Sequence, residues 1–214
     1  MKKFLFVAVL AVASVMAYAQ PRAIGGRLGT FEGVSYQHGL GENNMVEIEL
    51  GYSIGGAMNG ATTVKASAYG APKDYRYTWG FTGYNIQAAA TYDWIDPFGK
   101  KFPWEHKGEW HWYMGVGGAA GYGWHDDANF YYENKYVGWD WIHNWGFIGA
   151  VGRFGVEYDF WFPLQLSVDY RPVLGVGMAS NPMYDSKMPK LMAKTQAGFY
   201  WQVYDIALSV RYKF

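Results

Sequence analysis

A chain of 214 residues with 18 basic and 18 acidic side chains has no net charge, and it offers no clustered basic surface for nucleic acid. It has no cysteine, which excludes disulfides and a lipid-modified N-terminal Cys. Aromatic residues make up 20%, including 11 Trp and 19 Tyr, and 28 residues are glycine, yet the mean hydropathy is only −0.17. Soluble folds rarely carry so much Trp and Tyr without a large core to bury it.

The chain opens on Met1-Lys2-Lys3, continues apolar from 4 to 15, and reaches Ala17-Tyr18-Ala19 before Gln20. A basic start, a short apolar core and small residues at −3 and −1 make a cleaved secretory signal, expected over 1–19. The apolar run falls short of the roughly 20 residues that a spanning helix needs. Removing Lys2 and Lys3 leaves 16 basic against 18 acidic residues, a net charge of −2 for the mature domain, 20–214.

Beyond the leader, the main signal is period-two alternation. The stretches 23–28 and 33–37 both look extended, but the phase is lost around Gly29-Thr30-Phe31-Glu32. That break is either one bulged strand or two strands and a tight turn, and parity favours two. Next, Val46, Ile48, Leu50, Tyr52 and Ile54 alternate with Glu47, Glu49, Gly51 and Ser53. Tyr84, Ile86, Ala88, Ala90, Tyr92 and Trp94 alternate with Asn85, Gln87, Ala89, Thr91 and Asp93. Trp112, Met114, Val116, Ala120, Tyr122 and Trp124 share one face of the next segment. Ile148, Ala150, Phe154, Val156, Tyr158 and Phe160 then alternate with Gly149, Val151, Arg153, Gly155, Glu157 and Asp159. Leu164, Leu166, Val168 and Tyr170 oppose Gln165, Ser167, Asp169 and Arg171. Finally Ile206, Leu208, Val210, Tyr212 and Phe214 oppose Asp205, Ala207, Ser209, Arg211 and Lys213.

Each run is long enough for a transmembrane strand of about 9–11 residues, apolar on one face only. Sheet edges cannot stay unpaired in hydrocarbon, so the sheet must close. Connections near 39–44, 96–99 and 162–163 are short, while those around 55–78, 125–145 and 179–203 are long. Short turns inside and long loops outside, with an even strand count, predict an all-β, eight-stranded antiparallel up-and-down transmembrane β-barrel in the cell outer membrane.

Several segments carry a resemblance: Ala23-Ile24-Gly25-Gly26-Arg27-Leu28-Gly29, Gly33-Val34-Ser35-Tyr36-Gln37, Trp112-Tyr113-Met114-Gly115-Val116-Gly117-Gly118, Leu166-Ser167-Val168-Asp169-Tyr170-Arg171-Pro172 and Leu208-Ser209-Val210-Arg211-Tyr212-Lys213-Phe214. Through them the mature chain resembles the small OmpA/OmpX-like outer-membrane barrels, particularly Bacteroidota-type members. The terminal Phe214 resembles the signal read by the outer-membrane insertion machinery, which the resemblance implies as a partner alongside outer-membrane lipid. With the chain ending at Phe214, no OmpA-type cell-wall domain is expected.

The inward face gathers Glu47, Glu49, Asp93, Glu157, Asp159, Asp169 and Asp205 with Arg153, Arg171, Arg211 and Lys213. Barrels of about eight strands have interiors that side chains fill, which favours a packed ion-pair network over an aqueous path. Arg27 is a further candidate, but its phase is undetermined. Of the histidines, His111 is expected inward beside Tyr113, and His38 and His106 near short turns. His125 beside Asp126 and Asp127, and His143 near Asp140, fall in the long connection before Trp145. No HExxH, Ser-elbow or metal-ligand spacing accompanies them, so no enzyme, cofactor or metal is expected.

That long connection also holds Tyr132, Tyr136, Trp139 and Trp141 among carboxylates. Exposed rings beside acids can stack on sugars or a partner's surface, whereas the same residues on extended strands would form an interfacial girdle. The expected role is a structural or surface-interaction barrel with a ligand or protein partner at its outer loops. The alternatives are a narrow pore or an accessory subunit of a larger outer-membrane complex.

Overall fold

The computed structural model describes residues 21–64, 75–99, 107–132, 135–180 and 195–214. The expected leader, His106 and the segment 181–194 lie outside them, as do the side chains of Tyr132, Tyr136, Trp139, Trp141, His125 and His143.

Among the described residues, ten strand segments form one antiparallel sheet. They are β1 (Pro21–Gly29), β2 (Phe31–Gly39), β3 (Asn44–Val64), β4 (Tyr75–Ile95) and β5 (Glu109–Tyr132), then β6 (Lys135–Asp159), β7 (Leu164–Tyr170), β8 (Val173–Ser180), β9 (Thr195–Gln202) and β10 (Ile206–Lys213). β1 pairs with both β2 and β10, and the ladders continue strand to strand around the wall, so the sheet closes.

Two of the eight staves are each made of two segments. β7 and β8 meet β6 in one continuous register, Phe154 opposite Tyr170 and Val151 opposite Val173. Only Arg171 and Pro172 separate them. Pro172 has no N–H to give, and its carbonyl still accepts from Gly152 N at 3.0 Å. β9 and β10 are one strand with an extra residue: Val173 faces Gln202 while Tyr170 faces Ile206, so Val203, Tyr204 and Asp205 oppose two residues. That is a bulge.

The barrel changes strand number along its length. β1 and β2 are only nine residues each, and their hairpin ends at Thr30, whose carbonyl accepts from Ile54 N at 2.7 Å. Above that tip β9 closes directly onto β3, with Ala57 opposite Trp201 and Gly60 opposite Gly198. The lower part therefore has eight strands, and the upper part has six: β3, β4, β5, β6, β8 and β9.

The outer wall is apolar between two aromatic belts. On β4, Tyr84 and Trp94 are both exposed and ten residues apart, with Ile86, Ala88 and Ala90 between them facing out. At roughly 3.4 Å per residue and a tilt near 45°, that separation matches an apolar band about 25 Å tall. Tyr52 stacks on Tyr84 in the upper belt, with ring centroids 5.7 Å apart, and Tyr122 and Trp124 continue it. The lower belt includes Tyr92 against Trp94, Trp110 against Tyr158, and Tyr212 against Phe214.

Of the two readings of 125–145, the structure follows the one in which the strands extend into the connection. β5 and β6 run on as a paired hairpin, with Asn129 opposite Trp139, Asp127 opposite Trp141, Tyr131 opposite Tyr136 and Tyr132 opposite Lys135. Tyr132, Tyr136, Trp139 and Trp141 thus sit on strands. The ladder outlasts the bilayer because paired strands need no lipid to stay paired, whereas the expected boundary followed membrane thickness. β3 and β4 likewise extend into the expected connection, as far as Val64 and Tyr75.

Candidate functional site: a lumen filled in two layers

Alternation turns every second side chain of the lower half into a space of fixed width, and the polar residues meet there. Arg27 Nη1 reaches Glu49 Oε1 at 2.9 Å and Asp169 Oδ1 at 2.6 Å. Arg153 Nη1 contacts Glu47 Oε2 at 2.6 Å and Asp93 Oδ2 at 2.9 Å, while its Nη2 donates to the Tyr113 hydroxyl and to Asp169. Tyr113 in turn donates to Asp169 Oδ2 at 3.1 Å. Arg171 pairs with Glu49, and its Nε donates to Asp205 Oδ2 at 2.9 Å. Arg211 bonds Glu47 at 2.8 Å and donates to Ser35 and Ser167 at 2.5 and 2.6 Å. Towards the lower mouth, Arg22 pairs with Glu157.

None of Arg27, Arg171, Asp93, Asp205 or Glu157 has any exposed surface. Isolated charges in such a place would be prohibitive, so each guanidinium is paired with carboxylates on other strands. The network ties β1, β3, β4, β6, β7 and β10 together across the lumen.

Of the residues expected inward, Glu47, Glu49, Asp93, Arg153, Glu157, Asp169, Arg171, Asp205 and Arg211 are buried in this network. Asp159 is not: it is half-buried at the lower rim, 3.5 Å from Lys213 Nζ. The alternation carries it to the inward face, but it is the last residue of β6, where the wall opens to water. His111 also sits at the rim, with Nδ1 2.7 Å from Asp96 Oδ2 and Nε2 3.4 Å from Glu109. His38 is buried beside the Tyr36 hydroxyl at 2.9 Å.

The upper, six-stranded half is filled differently. Met58, Trp79, Phe81, Trp145, Phe147 and Tyr200 are buried in one apolar cluster. Phe147 and Tyr200 stack with centroids 3.5 Å apart, and Phe81 meets Trp145 edge-on at 5.2 Å. Space for these rings comes from glycines across the ladder: Gly121 faces Phe147 and Gly123 faces Trp145, and a Cβ on either would collide with that ring. The expectation of strands apolar on one face only is therefore corrected for this half. At the junction, the Tyr200 hydroxyl and the Ser53 hydroxyl both donate to Gln202 Oε1, at 2.9 and 3.1 Å.

Arg22, Gln37 and the aromatic cluster are lumen residues the sequence did not single out. The signal for the rings was parity: Trp145 and Phe147 share the phase of Gly149 and Val151.

A closed wall, apolar outside between aromatic belts and ionic within, inverts the arrangement of a soluble protein and requires hydrocarbon around it. These features define a transmembrane β-barrel of the outer-membrane class. No protein-family model matches the chain, and no curated protein matches it. Among solved structures it is similar to the crystal structure of a major outer membrane protein from Thermus thermophilus. That likeness has 11% identity and a TM-score of 0.41, and it covers 92% of this chain and 100% of the other. At that distance the class assignment rests on this chain's own wall and lumen.

Proposed function

We propose that the protein is a non-conducting outer-membrane barrel, a structural or surface-interaction protein whose strands above the outer aromatic belt meet a ligand or protein partner. The observation that carries this reading is the lumen, filled below by ion pairs and above by the Phe147–Tyr200 stack and its neighbours. Eight strands leave room only for side chains, and six leave less. The β5–β6 hairpin, with strands of 24 and 25 residues, is more than twice the length a membrane strand requires, and so presents its distal ladder outside the bilayer.

On this reading the protein needs no cofactor and performs no catalysis. Its motifs resemble those of the small OmpA/OmpX-like barrels of Bacteroidota-type, with Phe214 as the handle for the insertion machinery. The test is single-channel recording of the refolded mature chain in a planar bilayer. Silence from a verified folded barrel is the expected result. Steady ion-selective openings would replace this reading with a narrow pore through the arginine network.

A further inference from the structure

The join between β3 and β9 is the shortest ladder among the described strands, although at the same height β4 and β5 also lose register between Gly80 and Asn85. The β3–β9 join consists of four residue pairs, 57–60 against 198–201. Both strands continue beyond it, β3 to Val64 and β9 back to Thr195, without pairing to each other among the described residues. Their other ladders do not stop: β3 stays paired with β4 through Val64 opposite Tyr75, and β9 with β8 through Thr195 opposite Ser180. At its lower end the seam meets two irregularities, the β3 bulge at Gly55, whose φ is 92°, and the β9–β10 bulge at Tyr204, which is 77% exposed. The seam is thus short, with its strands separate above and bulged below.

Its outer end is weak in side-chain contacts, whereas Met58 opposite Tyr200 is anchored in the apolar cluster. The uppermost pair is Gly60 opposite Gly198, which contributes no cross-strand side-chain contact. Both glycines are backed by the Trp79 ring, which a Cβ at either position would strike. Behind the seam lie Tyr200 and Gln202, with the Gln202 amide Nε2 buried and making no hydrogen bond among the described residues. The position matters too: Ala57 lies just beyond Tyr52 and its stacked partner Tyr84, at the outer aromatic belt.

We propose that the β3–β9 seam is a lateral gate. Its four pairs unzip while the neighbouring ladders hold, opening the polar belt of Ser53, Tyr200 and Gln202 toward the outer headgroup layer. Such an opening leads sideways through the wall, so it is independent of whether the lumen conducts from end to end. Local openings of this kind draw on the least stable part of a structure, and here that part is specified by the ladder itself.

Residue-resolved amide exchange on the mature protein in lipid nanodiscs tests the gate. Amides in 57–60 and 198–201 that donate across the seam should exchange about ten-fold faster, or more, than those joining Ala89 to Ala119 on β4 and β5. Equal protection at the two places overturns the proposal. A lock supplies the second arm. Asn59 and Phe199 are opposite each other in register, and the chain has no cysteine of its own. In the oxidised Asn59→Cys, Phe199→Cys variant the fast amides should slow to the rate of the rest of the wall, and reduction should release them. Fast exchange that persists with the disulfide formed places the opening elsewhere and also overturns the gate.

Discussion

Thr30, at the tip of the β1–β2 hairpin, donates its hydroxyl to the Asp205 carboxylate at 2.8 Å. This bond joins the point where two staves end to the point where another bends. The same carboxylate takes Arg171 Nε at 2.9 Å and lies 3.5 Å from Arg27 Nη2, while the Asp205 carbonyl accepts from Arg171 N at 2.8 Å. Asp205 therefore holds the change from eight strands to six.

Asp205→Ala should destabilise the folded barrel by about 3–5 kcal/mol, because Arg171 and Arg27 lose a partner where both are fully buried. The half-buried Asp159, whose partner Lys213 is at the rim, is the control: Asp159→Ala should cost about 1 kcal/mol or less. Reversible urea unfolding in lipid vesicles measures both. Equal effects would mean that Asp205 is not a junction.

Arg153 faces Glu47, Asp93 and Asp169 at once, and its guanidinium lies 4.4 Å from the centre of the Tyr113 ring. Arg153→Ala should cost about 3–5 kcal/mol by stranding Asp93 and taking one of two cationic partners from each of Glu47 and Asp169. Adding Asp93→Asn should recover part of that loss, since it removes the stranded charge. Additive losses in the double variant would show that the two groups do not share a network. The expected bilayer recording of Arg153→Ala remains silent, because the aromatic layer above is untouched.

The aromatic layer makes its own demand on glycine. Gly123→Val would drive a side chain into the Trp145 indole, whereas Ala120→Val adds bulk on the exposed face of the same strand. The first should destabilise by about 1–3 kcal/mol or more through overpacking, and the second should fall within about 0.5 kcal/mol. Comparing unfolding midpoints of the two variants separates inward from outward on β5.

Much of this wall could be read before the structure. Ile206, Leu208 and Val210 against Ala207, Ser209 and Arg211 settle which way each residue faces, because a half-buried strand offers only two choices. The same parity delivered Glu47, Asp93, Arg153 and Asp169 to the lumen. It left Arg27 undetermined because the alternation blurs over Gly29-Thr30-Phe31-Glu32 in the sequence, although the structure keeps odd-numbered residues inward across the turn, with Ala23, Arg27, Phe31, Ser35 and Gln37 all buried. The aromatic layer was hidden for a different reason. Phe147 and Trp145 face inward, but Ile148 and Trp124 on the same or adjoining strand face outward, so hydrophobicity does not distinguish the two sides there. The closure of β9 onto β3 depends on register between distant strands, which no single segment encodes.

The apolar waist supplies the last prediction, and it bears on the membrane itself. Ala90 on β4 and Ala120 on β5 are exposed on the outer wall between the belts, Ala90 lying between Tyr84 and Trp94 and Ala120 between Trp112 and Tyr122. If that wall meets hydrocarbon, Ala120→Arg places a charge within the apolar band and should destabilise the barrel by about 2–4 kcal/mol. The same change at Glu42, exposed in the short turn between β2 and β3, should cost about 1 kcal/mol or less because water solvates it. Thermodynamic unfolding from lipid vesicles reads the difference directly. A depth-dependent penalty fixes the bilayer between the two aromatic belts. Identical stabilities at Ala120 and Glu42 would mean that water, not lipid, covers the waist, and the transmembrane reading would fall with it.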